Sequence, residues 1–282
     1  MNDYMENDYA HDPNEENATY EKKKKHKGGM FFFLIVMVLG IVAVCIGGIW
    51  TYKTDMSKYI DVTEVRKSYD ADNVTDIAID YLAGHLVVEK SNDSKIHIIG
   101  DKVPTDVEFE VKDKCFKVSS KSQMNVYAGL QWMQDDYELV IQLPEKIYNS
   151  VDLDLGAGKS DIRDIHTKSL KLDMGAGQTN VNNIKADKYA DVDCGVGQTN
   201  FSNCTFSSVD FDCGVGELNF SGKIQGNAKV DSGVGSCNFK LDDPESCYFF
   251  TGDNSNGYGS SNGKYNIDLD NGIGAVTFKF SD

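Results

Sequence analysis

The chain has 282 residues, 40% hydrophobic and 26% charged, with 26 Gly, only 4 Pro and a formal net charge of −16. That apolar fraction excludes disorder along the whole length, and a mean hydropathy of −0.39 excludes a polytopic membrane protein. With 44 Asp and Glu against 28 Lys and Arg, the chain repels phosphate-rich partners, so neither nucleic acid nor nucleotide is an expected ligand.

Residues 1–21 carry seven acids, no base and no apolar periodicity, which predicts a disordered acidic tail. Lys22, Lys23, Lys24, Lys25 and Lys27 complete an acidic and polybasic tail over residues 1–28. An uncharged stretch of 25 residues follows from Gly28 to Tyr52, almost wholly apolar between Met30 and Trp50. At about 1.5 Å of rise per residue such a helix spans a hydrocarbon layer of about 30 Å and satisfies its own backbone. Residues 29–52 therefore predict one transmembrane helix. The five lysines before it outnumber Lys53 and Lys58 after it, which places the N-terminus in the cytoplasm and the rest of the chain outside. A cleaved signal peptide fits less well, because the apolar run is long and no small-x-small site precedes Thr51. A lipidated Cys45 also fits less well, because Val44 is large for the position before it.

Residues 53–69 read as a juxtamembrane tether and 70–150 as an irregular, membrane-proximal β region. Ile77 to Val88 looks like a diverged copy of the repeat described below, and Ile96–Ile99, Val107–Val111, Cys115–Val118 and Tyr137–Leu143 alternate apolar with polar residues. The stretch Gln123 to Asp136 breaks that alternation and offers Tyr127 and Trp132 as candidate ligand-contact residues. Its competing role is to fold these aromatics back over the sheet.

From residue 151 the sequence repeats itself. A D-x-G-x-G motif starts at Asp154, Asp173, Asp193, Asp212, Asp231 and Asp270, with spacings of 19, 20, 19, 19 and 39. The last spacing is twice the others and reads as one extra rung with an eroded motif around Phe249 to Asn256. Alternating apolar residues precede each motif, as at Val151, Leu153 and Leu155, and a second alternation follows, as at Ser160 and Ile162. Each period is thus strand, glycine bend, strand and return turn. The structural glycines are Gly156, Gly158, Gly175, Gly177, Gly195, Gly197, Gly214, Gly216, Gly233, Gly235, Gly272 and Gly274. A unit this short cannot bury its own apolar face, but copies stacked in parallel at about 4.8 Å turn each position into a continuous column. The predicted fold is all-β: a parallel β-solenoid of 19–20-residue rungs over 151–282, preceded by one N-terminal transmembrane helix. No capping element is evident after Phe280.

An alternating strand ending in Leu143-Pro144, the run of D-x-G-x-G motifs and the terminal segment Gly272 to Phe278 together resemble the putative-adhesin β-strand-repeat family of Gram-positive envelope proteins. The likeness covers residues 70–282. It implies a surface β-solenoid, sometimes encoded with envelope-stress systems, and no defined catalytic residues.

Two files of acids accompany the repeat, the motif residues Asp154, Asp173, Asp193, Asp212, Asp231 and Asp270 and a second set at Asp152, Asp191, Asp210 and Asp268. Either each motif Asp accepts hydrogen bonds from the N–H groups of its own Gly-x-Gly, or calcium bridges adjacent rungs; the spacing is not that of calcium-binding nonapeptide repeats, so calcium is the weaker reading. Asn180, Asn200, Asn219 and Asn238, with Asp161 and Thr277 at the ends, predict an amide ladder. Gly158-Lys159-Ser160 lacks the earlier glycine of a phosphate loop. Cys194 and Cys213 fall in one column, as reduced core thiols in preference to a disulfide. With His85, His97 and His166 scattered, no metal or catalytic cluster and no cofactor is expected. These features predict a membrane-anchored, extracytoplasmic, non-catalytic adhesion or scaffold module that contacts cell-wall glycan or a surface protein. The alternative is an envelope-stress component acting through its cytoplasmic tail.

Overall fold

The structure, a computed structural model, describes residues 61–120, 138–252 and 258–281. The chain divides into two compact units, Met1–Ile46 and Gly47–Asp282. The first unit, with the tail and most of the apolar stretch, lies outside the described residues, as do Tyr127 and Trp132. Among the described residues no helix is long and apolar enough to cross a membrane.

Among the described residues everything regular is β except a 3-10 turn at Glu245–Cys247. The strands are β1 (Val62–Asp70), β2 (Asp76–Lys90), β3 (Lys95–Pro104), β4 (Val107–Lys112), β5 (Cys115–Ser120), β6 (Glu138–Leu143), β7 (Ile147–Phe206), β8 (Val209–Ile224), β9 (Ala228–Leu241), β10 (Tyr248–Gly252) and β11 (Tyr265–Phe280). They form one 11-stranded sheet. β7 is extended chain through 60 residues, folded at its bends so that successive repeats lie on one another.

Period-two patterning fixes the register. Along the run Val192, Phe211, Val230 and Leu269 the strands pair in parallel, residue for residue, and so do Phe201, Phe220, Phe239 and Phe278 beyond the bend. Upstream, Ile77, Ile79 and Tyr81 of β2 pair with Val151, Leu153 and Leu155, so β2 is a full copy of the unit. A one-residue slip would turn every one of these side chains to the opposite face. The columns merge into one apolar core that runs from Val65 to Phe278.

A second corner follows the bends at Gly158, Gly177, Gly197 and Gly216. Asp164, Asn183 and Asn203 take φ of 62°, 55° and 55°, and Gly222 takes 152°. Asp and Asn tolerate left-handed backbone better than other residues with a Cβ, which explains the residue types at this corner.

The N-terminal end departs from the regular pattern. β5 pairs with the first half of β2 and β6 with the second, so these two strands together cover β2 as a split layer. β4 closes antiparallel on β5, β3 on β6, and β1 on β3. The stretch 53–69, read from sequence as a tether, therefore contains strand from Val62 onward. Its alternation is hard to see because only Val65 is buried and the other residues up to Ser68 are exposed. Charges on such an edge discourage pairing with other chains.

The C-terminal end corrects a second expectation. No extra rung sits between Asp231 and Asp270: β11 pairs directly with β9, Asp270 opposite Asp231. The residues assigned to an eroded rung include β10, which pairs with the outer side of β11, Tyr248 opposite Tyr265. The chain leaves the stack after Leu241, lays down a five-residue strand, and returns underneath it. This is also the cap that the sequence did not reveal. Phe250 and Tyr258 lie 4.8 and 5.4 Å from Phe278, ring centre to ring centre, and cover the end of the core. The Tyr248 hydroxyl donates to the Ile224 carbonyl at 3.1 Å.

Candidate functional site

The feature shared by the coils is the crease at the bend, Gly-x-Gly from Gly156 onward and Leu82-Ala83-Gly84 in β2. Gly84 pairs with Gly158, and Gly197, Gly216, Gly235 and Gly274 continue the file. The residue between the two glycines points outward, so Val196 and Ile273 are 44% and 52% exposed. The backbone approaches itself so closely here that side chains on both flanks line a narrow cleft of about 40 Å³, among them Tyr81, Met174, Cys194, Cys213 and Cys237.

The acidic file is continuous. Asp80 pairs with Asp154, and Asp193, Asp212, Asp231 and Asp270 are register partners. Asp154 and Asp193 are both held above the usual carboxylate range, first by burial and then by neighbouring carboxylates that include Asp173. Lysines relieve this in part, Lys171 near Asp154 and Asp193, and Lys229 donating to Asp231 Oδ2 at 2.6 Å. The expected hydrogen bonding from the bend N–H groups is not what holds Asp231: its Oδ1 is buried without a partner. Among the described residues, no three His, Cys, Asp or Glu side chains converge to hold a metal ion.

A raised folded-state pKa means that the protonated form favours folding and that ionisation costs stability as pH rises through that value. Asp193→Asn should therefore stabilise the fold at pH 7 by less than about 1 kcal/mol for a part-exposed charge, seen as a higher melting temperature, and the gain should vanish below pH 4. Thermal denaturation of both proteins at the two pH values reads this directly.

The amide ladder forms as the spacing predicts. Asn238 Nδ2 donates to Asn219 Oδ1, Asn219 to Asn200 and Asn200 to Asn180, at 3.0, 3.0 and 3.1 Å. Thr277 Oγ1 donates into the ladder at Asn238, and Asn180 ends it on Asp161 Oδ1 at 2.9 Å. Asp161 also faces His85 Nε2 at 2.8 Å, and the other nitrogen of His85 lies 3.2 Å from Glu138. Burial raises the Asp161 pKa, but the hydrogen bonds from Asn180 and His85 and the charge of Lys159 outweigh it and hold the carboxyl below the usual range. Asn200→Ala breaks two of these bonds at once and should cost about 1–2 kcal/mol, measured as a shift of the urea midpoint.

The thiols gather in a way that the sequence conveyed only in part. Cys194 and Cys213 are register partners, as one column predicts, and all six described cysteines are free. Cys237, from the opposite flank of the crease, lines the same cleft, and its thiol donates to Ser232 Oγ at 3.7 Å. The signal missed was the distance in sequence across the bend, which puts the residue before one Gly-x-Gly opposite the residue two places after the next.

Among the described residues, in-register glycine-bend repeats with edge-covering strands at one end and an aromatic cap at the other make an all-β repeat domain. The chain belongs to the family of the N-terminal domain of toast_rack, DUF2154, which matches residues 53–202. The family resemblance read from the repeat stands at this level, a domain family without an assigned function. Solved structures similar to the chain include a putative adhesin from Bacteroides fragilis, at 17% identity and a TM-score of 0.46, covering 77% of this chain and 97% of the other. A putative cell adhesion protein from Clostridium sporogenes shares 17% identity at a TM-score of 0.34, covering 78% of this chain and all of its own. A putative adhesin from Parabacteroides distasonis shares 16% at 0.33, covering 78% and 94%. No curated protein matches the chain.

Proposed function

We propose that the chain is a single-pass membrane protein of a Gram-positive envelope whose extracytoplasmic part is a β-solenoid, a non-catalytic module that adheres to or scaffolds cell-wall glycan or a surface protein. The observation that carries this reading is the register. Hydrogen-bonding groups recur once per strand along the Asn180 to Asn238 ladder and along the acidic file, which gives a polymer with its own repeat many identical weak contacts. The apolar stretch from Met30 to Trp50 supports the anchor, and the lysines ahead of it support the orientation.

The test is an array of cell-wall and surface glycans probed with the full chain in detergent, with and without EDTA. Binding is expected, and it is expected to persist in EDTA. A blank array, together with loss of a cellular phenotype on deleting residues 2–21 while surface display is intact, would replace adhesion by regulation through the tail.

A further inference from the structure

The last strand of the repeat is covered over only part of its length. β10 pairs with β11 from Tyr265 to Leu269. Beyond Leu269, among the described residues, no strand pairs with that side of β11, although its other side pairs with β9 as far as Phe280. The stretch from Gly272 to Phe280 is thus a free edge with backbone N–H and C=O groups to offer. It carries Lys279 and no acid, and Gly272 to Ala275, Thr277 and Lys279 are exposed.

The amide ladder ends at this edge, and its direction decides what the edge accepts. Every amide donates toward the N-terminal end of the sheet, Asn238 to Asn219, Asn219 to Asn200 and Asn200 to Asn180. Thr277 does the same and gives its one hydroxyl proton to Asn238 Oδ1 at 2.8 Å. Toward the free side Thr277 Oγ1 therefore presents lone pairs only, so a strand added there continues the ladder by bringing a side-chain donor opposite Thr277. Two copies of β11 paired about Thr277 would set acceptor against acceptor.

The sequence holds a segment of the required kind. Two ladder asparagines stand in Gln178-Thr179-Asn180-Val181 and Gln198-Thr199-Asn200-Phe201, and the pattern occurs again as Gln123-Met124-Asn125-Val126, outside the described residues. That segment cannot reach the β11 edge of its own chain. Ser119 is held opposite Asp80, and the rows of Asp80, Asp154, Asp173, Asp193, Asp212, Asp231 and Asp270 put seven strand spacings, about 34 Å, between β5 and β11. Six residues from Ser119 to Asn125 extend at most about 21 Å.

We propose that residues 123–126 of one copy add to the free edge of β11 in a second copy, parallel to it, with Asn125 Nδ2 donating to Thr277 Oγ1. Backbone pairing supplies the affinity and the amide sets the register. The inward residues Met124 and Val126 meet Phe250 and Tyr258, the aromatics that cover the core beside Phe278. Segment and edge belong to opposite ends of the strand order, so the contact is head to tail and leaves one of each free on every pair. This self-contact is independent of the adhesion reading and holds whatever the module adheres to.

The test uses the full chain in detergent and a fluorescein-labelled peptide of residues 121–128. Anisotropy should report saturable binding, and Asn125→Ala in the peptide and Thr277→Val in the chain should each weaken it about fivefold. Together the two changes should weaken it no further than either alone, a coupling that general loosening of β11 does not produce. Light scattering should give a mass that rises with chain concentration and returns to that of the monomer in excess peptide. With a photoreactive methionine analogue at position 124 of the peptide, mass spectrometry should place the cross-link within residues 248–280. Additive losses, cross-links on the edges of β1 or β4, or no binding at millimolar chain overturn the proposal.

Discussion

Gly197→Ala is expected to leave no stably folded repeat domain. Gly197 has φ of +140°, and a Cβ added there would stand 1.9 Å from the carbonyl oxygen of Gly177 on the neighbouring coil. The atom met is backbone, so no rotamer change relieves it; the strands must part, and parting them breaks the parallel pairing on both sides of the bend. Unfavourable φ alone costs about 1–2 kcal/mol, and the overlap adds to it, which places the substitution in the range above about 4 kcal/mol that exceeds much of a domain's stability. The same clash recurs at Gly216, where the added Cβ would meet Gly197 at 1.9 Å, so the effect should not depend on which middle coil is chosen. Soluble yield and circular dichroism check it: a cooperatively melting β spectrum from the alanine variant would show that the bends are not held this tightly.

Phe220→Ala should cost about 3–5 kcal/mol and should not be rescued at lower temperature. Phe220 is 2% exposed, and its ring centre lies 5.7 Å from Phe206 and Phe211 and 6.0 Å from Phe201 and Phe239. A truncation here removes four aromatic contacts and leaves a void between coils that cannot collapse, because the backbone spacing is fixed by the parallel pairing above and below. Phe220→Leu should cost much less, since Val181 and Ile162 fill the equivalent position elsewhere. Urea denaturation with a common m-value measures both. Equal losses for Ala and Leu would mean that ring stacking, and not filled volume, sets the stability of this column.

Much of the architecture was legible because the repeat states the register outright. The period near 20, the alternation at Val192 and Phe201, and the asparagines at 180, 200, 219 and 238 each fix one column, and the columns meet as the spacing requires. The ends were not legible. β10 carries no Gly-x-Gly, and nothing local in Tyr248 to Gly252 tells whether it pairs inside or outside β11; that is decided by which edge β9 offers and by where Phe250 can reach Phe278. β1 was hidden for a related reason, since an edge strand with charged residues on both faces has no apolar period to read. The left-handed corner at Asp164, Asn183, Asn203 and Gly222 was available as a 19, 20, 19 spacing of turn-forming residues, but its residue type varies from coil to coil. Of the candidate site, the acidic file and the ladder followed from sequence. That Cys237 lines the same cleft as Cys194 and Cys213 depends on how sharply the crease closes, and only the three-dimensional path supplies that.

The placing of β11 between β9 and β10 bears on how the molecule is assembled as it emerges from the ribosome. Residues 265–280 are made after β10 yet occupy a layer beneath it, so the edge of β9 stays bare until they arrive. Any nascent chain paused before Tyr265 would present that edge, with Phe239 beside it, to whatever lies nearby, and a chaperone or a rapid final insertion must shield it.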